Sequence, residues 1–338
     1  MINIDLVWYR KSLHPVSFCL LPFSWLFGTC AAMRRMFYRA GIFKTYRFNV
    51  PVIVVGNIAV GGTGKTPFVI WLAAFLQAQG YKPGIVSRGV GGKSQDIPYR
   101  VQAEDNAWMV GDEAMLLLRN SQCPLVIGID RAAAVRELLK QTDCDIVISD
   151  DGLQHYGLWR DLEIVMVDAE RQFGNRQLLP AGPLRERPSR LAAADFVVTQ
   201  VAAEAQQDGL PPQGEAVRNE FHAMQLLPQH FIAVANPDRQ IPFADFSRQK
   251  VHALAGIGHP QRFFDMLKKA GFELITHVFP DHHLYQPGDL CFADSLPIIM
   301  TEKDAVKCAG FADERYWHVK VNACVNESFG QQLMEKLK

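Results

Sequence analysis

The residues with the clearest chemistry are Gly61, Gly62, Thr63, Gly64, Lys65 and Thr66, inside the run Gly56-Asn57-Ile58-Ala59-Val60-Gly61-Gly62-Thr63-Gly64-Lys65-Thr66-Pro67. Glycines let backbone N–H groups turn toward an anion, and the N-terminus of a following helix adds a favourable dipole. A lysine placed there reaches the β- and γ-phosphates of a nucleotide, and the next hydroxyl ligates Mg2+. The strict motif has its first glycine where this chain has Ala59, so Gly61 and Gly62 must supply the backbone freedom. The flanks suit the task. Val52-Ile53-Val54-Val55 reads as a buried strand, and Phe68, Val69, Leu72, Phe75 and Leu76 form an apolar stripe at helical spacing ending at Gly80.

Acids recur where such a loop needs them. The strand-like run from Cys144 ends in Asp150-Asp151, followed by Gly152-Leu153-Gln154-His155. Paired carboxylates at a strand end hold Mg2+ or its waters in phosphate-loop enzymes, although an Asx turn uses the same residue types. Gly111-Asp112-Glu113 places two acids at a helix start, where they also act as ordinary helix stabilisers. Gly84 to Lys93 is a strand running into a basic, glycine-rich loop, so Arg88 or Lys93 is placed to hold a second anion. Phe279-Pro280-Asp281-His282-His283 brings an acid and two histidines to another strand end. Gly256-Ile257-Gly258 lacks the third glycine of a dinucleotide fingerprint.

These groups need a scaffold, and the chain is long enough to give one. At 338 residues, 49% apolar and 21% charged, it is globular with room for two domains. Repeated strand and helix patterns predict an α/β fold, with Leu162–Asp168 and Asp195–Thr199 as further strands and the pattern restarting near His252. The proline-bearing loop from Leu178 to Arg187 is too broken for a helix, and Ile298–Lys307 reads as a strand with a charged end. The polar stretch 202–216 reads as the linker between domains. Seven scattered cysteines, none in Cys-x-x-Cys, argue against a disulfide framework and a zinc site, and for a reducing compartment.

The net charge of zero hides an asymmetry. Residues 1–50 carry seven Lys and Arg against Asp5 alone, and the remainder balances at −6. No nucleic-acid partner is expected of an acidic body. From Val16 to Met33 there is no charge, and Arg34, Arg35, Arg39, Lys44 and Arg47 follow. The run is short for a spanning helix and contains Pro22 and Gly28. An interfacial helix is expected, with Phe18, Leu20, Leu21, Trp25, Leu26 and Phe27 inserted and the arginines on anionic headgroups at the cytoplasmic face.

Taken together, seven blocks make the chain closely resemble the tetraacyldisaccharide 4'-kinase family of lipid A biosynthesis. They are Gly56–Pro67, Ser87-Arg88-Gly89, Gly111-Asp112-Glu113, Asp150–His155, Leu179–Glu186, Phe279–His283 and Thr301–Lys307. The resemblance implies an α/β/α P-loop core over 47–215, a smaller α/β domain over 216–338 closing a cleft, and a membrane-associated helical segment over 1–46. It implies ATP and Mg2+ as cofactors, an acylated glucosamine disaccharide 1-phosphate as substrate, and phosphorylation of its 4'-hydroxyl at the inner membrane, with no obligate protein partner. It further implies phosphate binding by Lys65 and Thr66 and metal binding by Thr66, Asp150, Asp151, Glu113 and Gln154. Asp112 is then the expected base, assisted by His282 or its neighbour His283, with Arg88 and Arg185 toward the substrate. Val90, Ala114, Arg187 and His259 depart from the family pattern without touching these groups. Two rival readings are a phosphate-loop enzyme with a soluble substrate, which has no use for the basic apolar head, and a guanine-nucleotide switch. Thr301-Glu302-Lys303-Asp304 lacks the first two residues of the guanine tetrapeptide Asn-Lys-x-Asp.

Overall fold

Apolar, β-branched runs become strands and the amphipathic runs between them become helices. The computed structural model describes residues 4–10, 12–92, 98–202 and 221–338. Lys11, Lys93 and, apart from Ala202, the expected linker therefore lie outside the described residues. Two helices open the chain, α1 (Ile4–Trp8) and α2 (Pro15–Arg39). The first half then contains β1 (Val52–Asn57), α3 (Lys65–Ala78), β2 (Pro83–Ser87), β3 (Tyr99–Arg100), α4 (Ala107–Val110) and α5 (Asp112–Ser121). It continues with β4 (Leu125–Ile127), α6 (Arg131–Gln141), β5 (Ile146–Asp150), β6 (Leu162–Asp168) and β7 (Phe196–Val201). The second half contains β8 (Phe221–Ala233), β9 (Gln240–Pro242), β10 (Lys250–Ala255), α7 (Pro260–Lys269) and β11 (Glu273–Val278). It ends with β12 (Ile298–Thr301), α8 (Glu302–Cys308), β13 (Tyr316–Val325) and α9 (Glu327–Leu337).

One sheet runs through both halves in the order β11-β10-β12-β13-β8-β7-β6-β1-β5-β2-β4-β3, with β9 beside β8. The first half is parallel from β7 to β4, and β10, β11, β12 and β13 pair in parallel in the second. The joint is the long antiparallel ribbon of β8 and β13, from Met224 opposite Val325 to Ala233 opposite Trp317. Its register shifts between Lys320 and Val321, where Pro228 lies opposite and has no N–H to give the ladder. β8 still pairs in parallel with β7, so strand direction reverses at this ribbon and β10, β11, β12 and β13 run against the parallel strands of the first half.

In the first half, α3 and α5 cover one face of the sheet through Phe68, Leu72, Leu76, Met115 and Leu117, while α6 covers the other through Ala134, Val135 and Leu138. The chain's last helix returns to the first core: Phe329 of α9 packs edge-on against Phe68 and Phe196. A separate cluster around Phe231, Phe246, Phe264 and Trp317 forms the second half's own core.

Two local expectations change. Ile298–Lys307 is a strand only to Thr301; the charged end is α8, whose N-cap Thr301 accepts from the Asp304 amide. A Thr followed three residues later by an acid is a helix-start signal. And α2 runs unbroken through Pro22 for 25 residues, longer than the uncharged stretch that seeded it. By length and composition it is the one helix among the described residues apolar enough to cross a membrane. Proline there removes a single ladder bond.

Candidate active site

The phosphate loop forms where β1 feeds α3. Gly61 and Gly64 adopt φ of +118° and +75°, which side chains with a Cβ resist. Lys65 opens the helix, and its Nζ lies 3.2 Å from Asn57 Oδ1 and 3.5 Å from Asp151 Oδ1. The Thr63 hydroxyl is buried and, among the described residues, has no hydrogen-bond partner. Thr66 sits in the first turn of α3, half-buried.

At the end of β5, Asp150 and Asp151 part company. Asp150 is buried, accepts from the Ser87 hydroxyl at 3.0 Å through Oδ2, and leaves Oδ1 without a partner among the described residues. Burial, with the nearby Glu113 and Asp151 carboxylates, pushes its pKa up to about 6. Asp151, at φ +46°, turns the other way and meets Arg185 Nη1 at 3.1 Å as well as Lys65. Burial opposes its charge, but Lys65 and Arg185 outweigh that and hold its carboxyl well below the usual range. Gln154 is built into the same network: it donates to Glu186 at 2.9 Å and to the Asn57 carbonyl at 3.2 Å, and accepts from Arg185 at 3.4 Å.

Asp112 is the first residue of α5 and is almost fully buried. His282 Nδ1 reaches its two carboxylate oxygens at 3.0 and 3.2 Å. The histidine sits at φ +60°, a strained geometry in which its ring meets Asp112. His283 turns away to Asp289 Oδ2 at 3.1 Å, so the geometry selects His282 of the two. From α8, Lys303 Nζ lies 2.9 Å from Glu113, 3.0 Å from Asp281 and 4.0 Å from Asp112, and Lys307 Nζ lies 3.6 Å from Asp112. Burial works against the Asp112 carboxylate, yet the His282 hydrogen bond and the two lysines hold its pKa below the ordinary value. The same hydrogen bond raises the imidazole of His282.

The structure thus groups Lys65, Asp151, Gln154 and Arg185 on one network, Asp112, Glu113 and His282 on another, and sets Asp150 between Glu113 and Asp151. Arg88 follows Ser87 at the end of β2 and is exposed. Sequence reasoning assigned no role to Lys303, Lys307, Glu186 or Asn57. For the lysines the signal was present: positions 303 and 307 are four apart on one helix, hence on one face. Asn57 and Glu186 carry no such signal, because their partners are set only by the sheet.

No three or more His, Cys, Asp or Glu side chains converge on a ready-made metal site among the described residues. Mg2+ asks for less, since one or two carboxylates plus substrate phosphates hold it. The unpartnered Asp150 oxygen, with like charges beside it, fits that demand.

The chain as a whole is similar to known proteins. The sequence model of the LpxK family, described as tetraacyldisaccharide-1-P 4'-kinase, covers residues 16–338. A tetraacyldisaccharide 4'-kinase of Nitrosococcus oceani is 45% identical over 332 residues, 98% of this chain and 93% of that one. One of Methylobacillus flagellatus is 47% identical over 94% of this chain and 91% of that one. Among solved structures, an LpxK from Aquifex aeolicus in complex with ATP superposes with a TM-score of 0.78 at 26% identity, covering 96% of this chain and all of that one. The chain belongs to the tetraacyldisaccharide 4'-kinase family.

Proposed function

We propose that Asp112 and His282 receive the proton of the sugar hydroxyl while Lys65 and the phosphate loop hold the nucleotide that phosphorylates it. The enzyme is an ATP-dependent kinase of lipid A biosynthesis acting on the 4'-hydroxyl of tetraacyldisaccharide 1-phosphate. The observation that carries the site assignment is the 3.0 Å contact between Asp112 and His282, from opposite halves of the chain.

Phosphoryl transfer leaves a protein little covalent work; positioning and charge stabilisation do most of it. Asp112 alone is a weak base, since its neighbours favour the ionised form. Paired with an imidazole whose pKa the Asp112 hydrogen bond raises, it orients the hydroxyl and passes the proton to that ring. Lys65 leaves Asp151 and Asn57 for the transferring phosphates. Mg2+ supplies charge neutralisation there when bound. Asp150, Thr66 and Glu113 are the donors that would hold it, with Asp151 and Gln154 supporting them. Arg185 and Arg88 are assigned to the anionic substrate side, Arg185 through the Asp151 network.

The domain boundaries follow the same reading: 47–215 binds nucleotide and 216–338 brings His282 to the cleft. The segment 1–46 seats the enzyme on the cytoplasmic face of the inner membrane. That seat is supported by the orientation of α2, whose Ser17 and Ser24 are buried against the body while Phe18, Trp25 and Leu26 are 67%, 64% and 63% exposed. Its apolar face points outward.

The test is transfer of label from γ-labelled ATP to tetraacyldisaccharide 1-phosphate in detergent micelles. Mg2+-dependent labelling, abolished by Lys65→Ala, is expected. Undiminished labelling by folded Lys65→Ala would overturn the phosphate-loop assignment.

A further inference from the structure

We infer that Tyr9, ahead of the membrane helix, is a positioning residue of the nucleotide site, holding the phosphate loop from outside the kinase core. The inference rests on the reading of Gly61–Thr66 as the ATP-binding loop. It goes beyond the family match, which begins at residue 16.

The phosphate loop has one flank made by residues that no phosphate-loop motif contains. The Tyr9 hydroxyl donates to the Val60 carbonyl at 3.0 Å, one residue before Gly61. On the other side of Val60, its amide donates to the Pro183 carbonyl at 2.8 Å. The residue entering the glycine turn is therefore pinned by both of its backbone polar groups. Arg171, just past β6, lies over the Tyr9 ring at 4.7 Å. A Cβ added to Gly61 would lie 3.3 Å from Arg171 Nη1 and 3.8 Å from the Tyr9 hydroxyl, so both side chains line the turn.

Tyr9 is itself firmly held. Val7 and Trp8 are buried at 3% and 8% exposure. Trp8 Nε1 donates to the Pro180 carbonyl at 3.1 Å, and the Asn175 amide donates to the Trp8 carbonyl at 2.7 Å. A surface tail that merely led into a membrane helix would need none of these bonds. The segment is docked into the loops following β6, and its hydroxyl reaches the phosphate loop from that rigid base.

The opposite flank is closed by the second half. A Cβ on Gly258 would fall 2.7 Å from the Gly62 amide nitrogen. Arg262, one turn into α7, reaches the buried Asp168 at 2.8 Å, and the same Asp168 oxygen accepts from the Arg171 amide at 3.1 Å. Arg171 thus belongs to a chain of contacts running from Tyr9 to α7. The glycine turn sits between the N-terminal segment and the second half, each fixing one side of it. Backbone N–H groups cradle phosphate well only when held in place beforehand. A turn rich in glycine pays a large entropy on ordering unless something outside the motif holds it.

The test is ATP binding to the full-length protein in detergent by calorimetry, with steady-state kinetics on both substrates. Tyr9→Phe keeps the ring under Arg171 and removes the hydroxyl that bonds Val60; Tyr9→Ala removes ring and hydroxyl together. We expect Tyr9→Phe to weaken ATP binding about 5-fold and Tyr9→Ala more, each as a rise in the KM for ATP with the lipid KM unchanged, which a loss of general stability would not produce. Wild-type ATP affinity in both variants would overturn the inference. Failure of the wild-type protein to bind ATP would instead overturn the phosphate-loop reading on which it rests.

Discussion

Two carboxylates, Asp150 and Asp112, sit in buried positions and are driven in opposite directions by what faces them. Asp112 meets an imidazole and two ammonium groups and stays charged. Asp150 meets a hydroxyl and two other carboxylates and is pushed up to about 6. The folded state therefore holds a proton on Asp150 more tightly than the unfolded chain does. The resulting penalty is absent below the ordinary carboxylate range, grows as pH rises toward 6, and is complete above it. A shift of that size amounts to about 3 kcal/mol. Asp150→Asn should accordingly raise the thermal midpoint of the nucleotide-free protein at pH 8 by a few degrees, while removing kinase activity. An unchanged or lowered midpoint at pH 8 would show that the carboxylate is not strained there. Both acids were legible in the sequence as residue types, Asp150 at a strand end and Asp112 at a helix start. The opposite directions in which they are shifted were not, because Lys303, Lys307 and Glu113 reach them only through the fold.

Most elements follow from periodicity alone. The strand before the phosphate loop, the helix after it and the strand ending in Asp150 stand where the residue pattern puts them. The helix after Thr301 was missed because three apolar residues, Ile298, Ile299 and Met300, lead the window and the Thr301 cap is a single side chain. The N-terminal helix α2 shows the limit of pattern reading most clearly. Its sequence is apolar all round, and composition cannot say which face is buried. The structure resolves it through small polar residues: the Ser24 hydroxyl donates to the Leu178 carbonyl at 2.8 Å, and Asn175 donates to Ser17. Gly28 sits on the same face, where a Cβ would fall 2.6 Å from Leu178 Cδ1. The outward face is left to apolar side chains. Replacing Trp25 and Leu26 together by glutamate should cut co-sedimentation with vesicles of anionic phospholipid at least tenfold, with the far-UV circular dichroism unchanged. Equal sedimentation of this variant and the wild-type protein would remove α2 from the membrane contact.

On the scale of the whole molecule, the continuous sheet is what makes a shared cleft possible. The proposed site draws on both halves: the phosphate loop and Asp112 come from the first, His282, Lys303 and Lys307 from the second. The β8–β13 ribbon reverses strand direction between them, and contacts at Asp112, Glu113, Asp168 and Gly62 join the halves across the cleft. The sequence showed two α/β patterns and a polar stretch between them. It did not show that α9 returns to the first core or that one ribbon carries the joint, since both depend on pairings far apart in the chain. The central claim is that Asp112 and His282 act as one unit across this cleft. It is tested most directly by kcat for the wild-type protein, Asp112→Asn, His282→Gln and the double variant, with ATP affinity measured alongside. The account predicts that each single change lowers kcat by about 10²–10⁴, that the double variant is little worse than the poorer single, and that ATP affinity holds. Full additivity of the two losses, or an active Asp112→Asn enzyme, would contradict it.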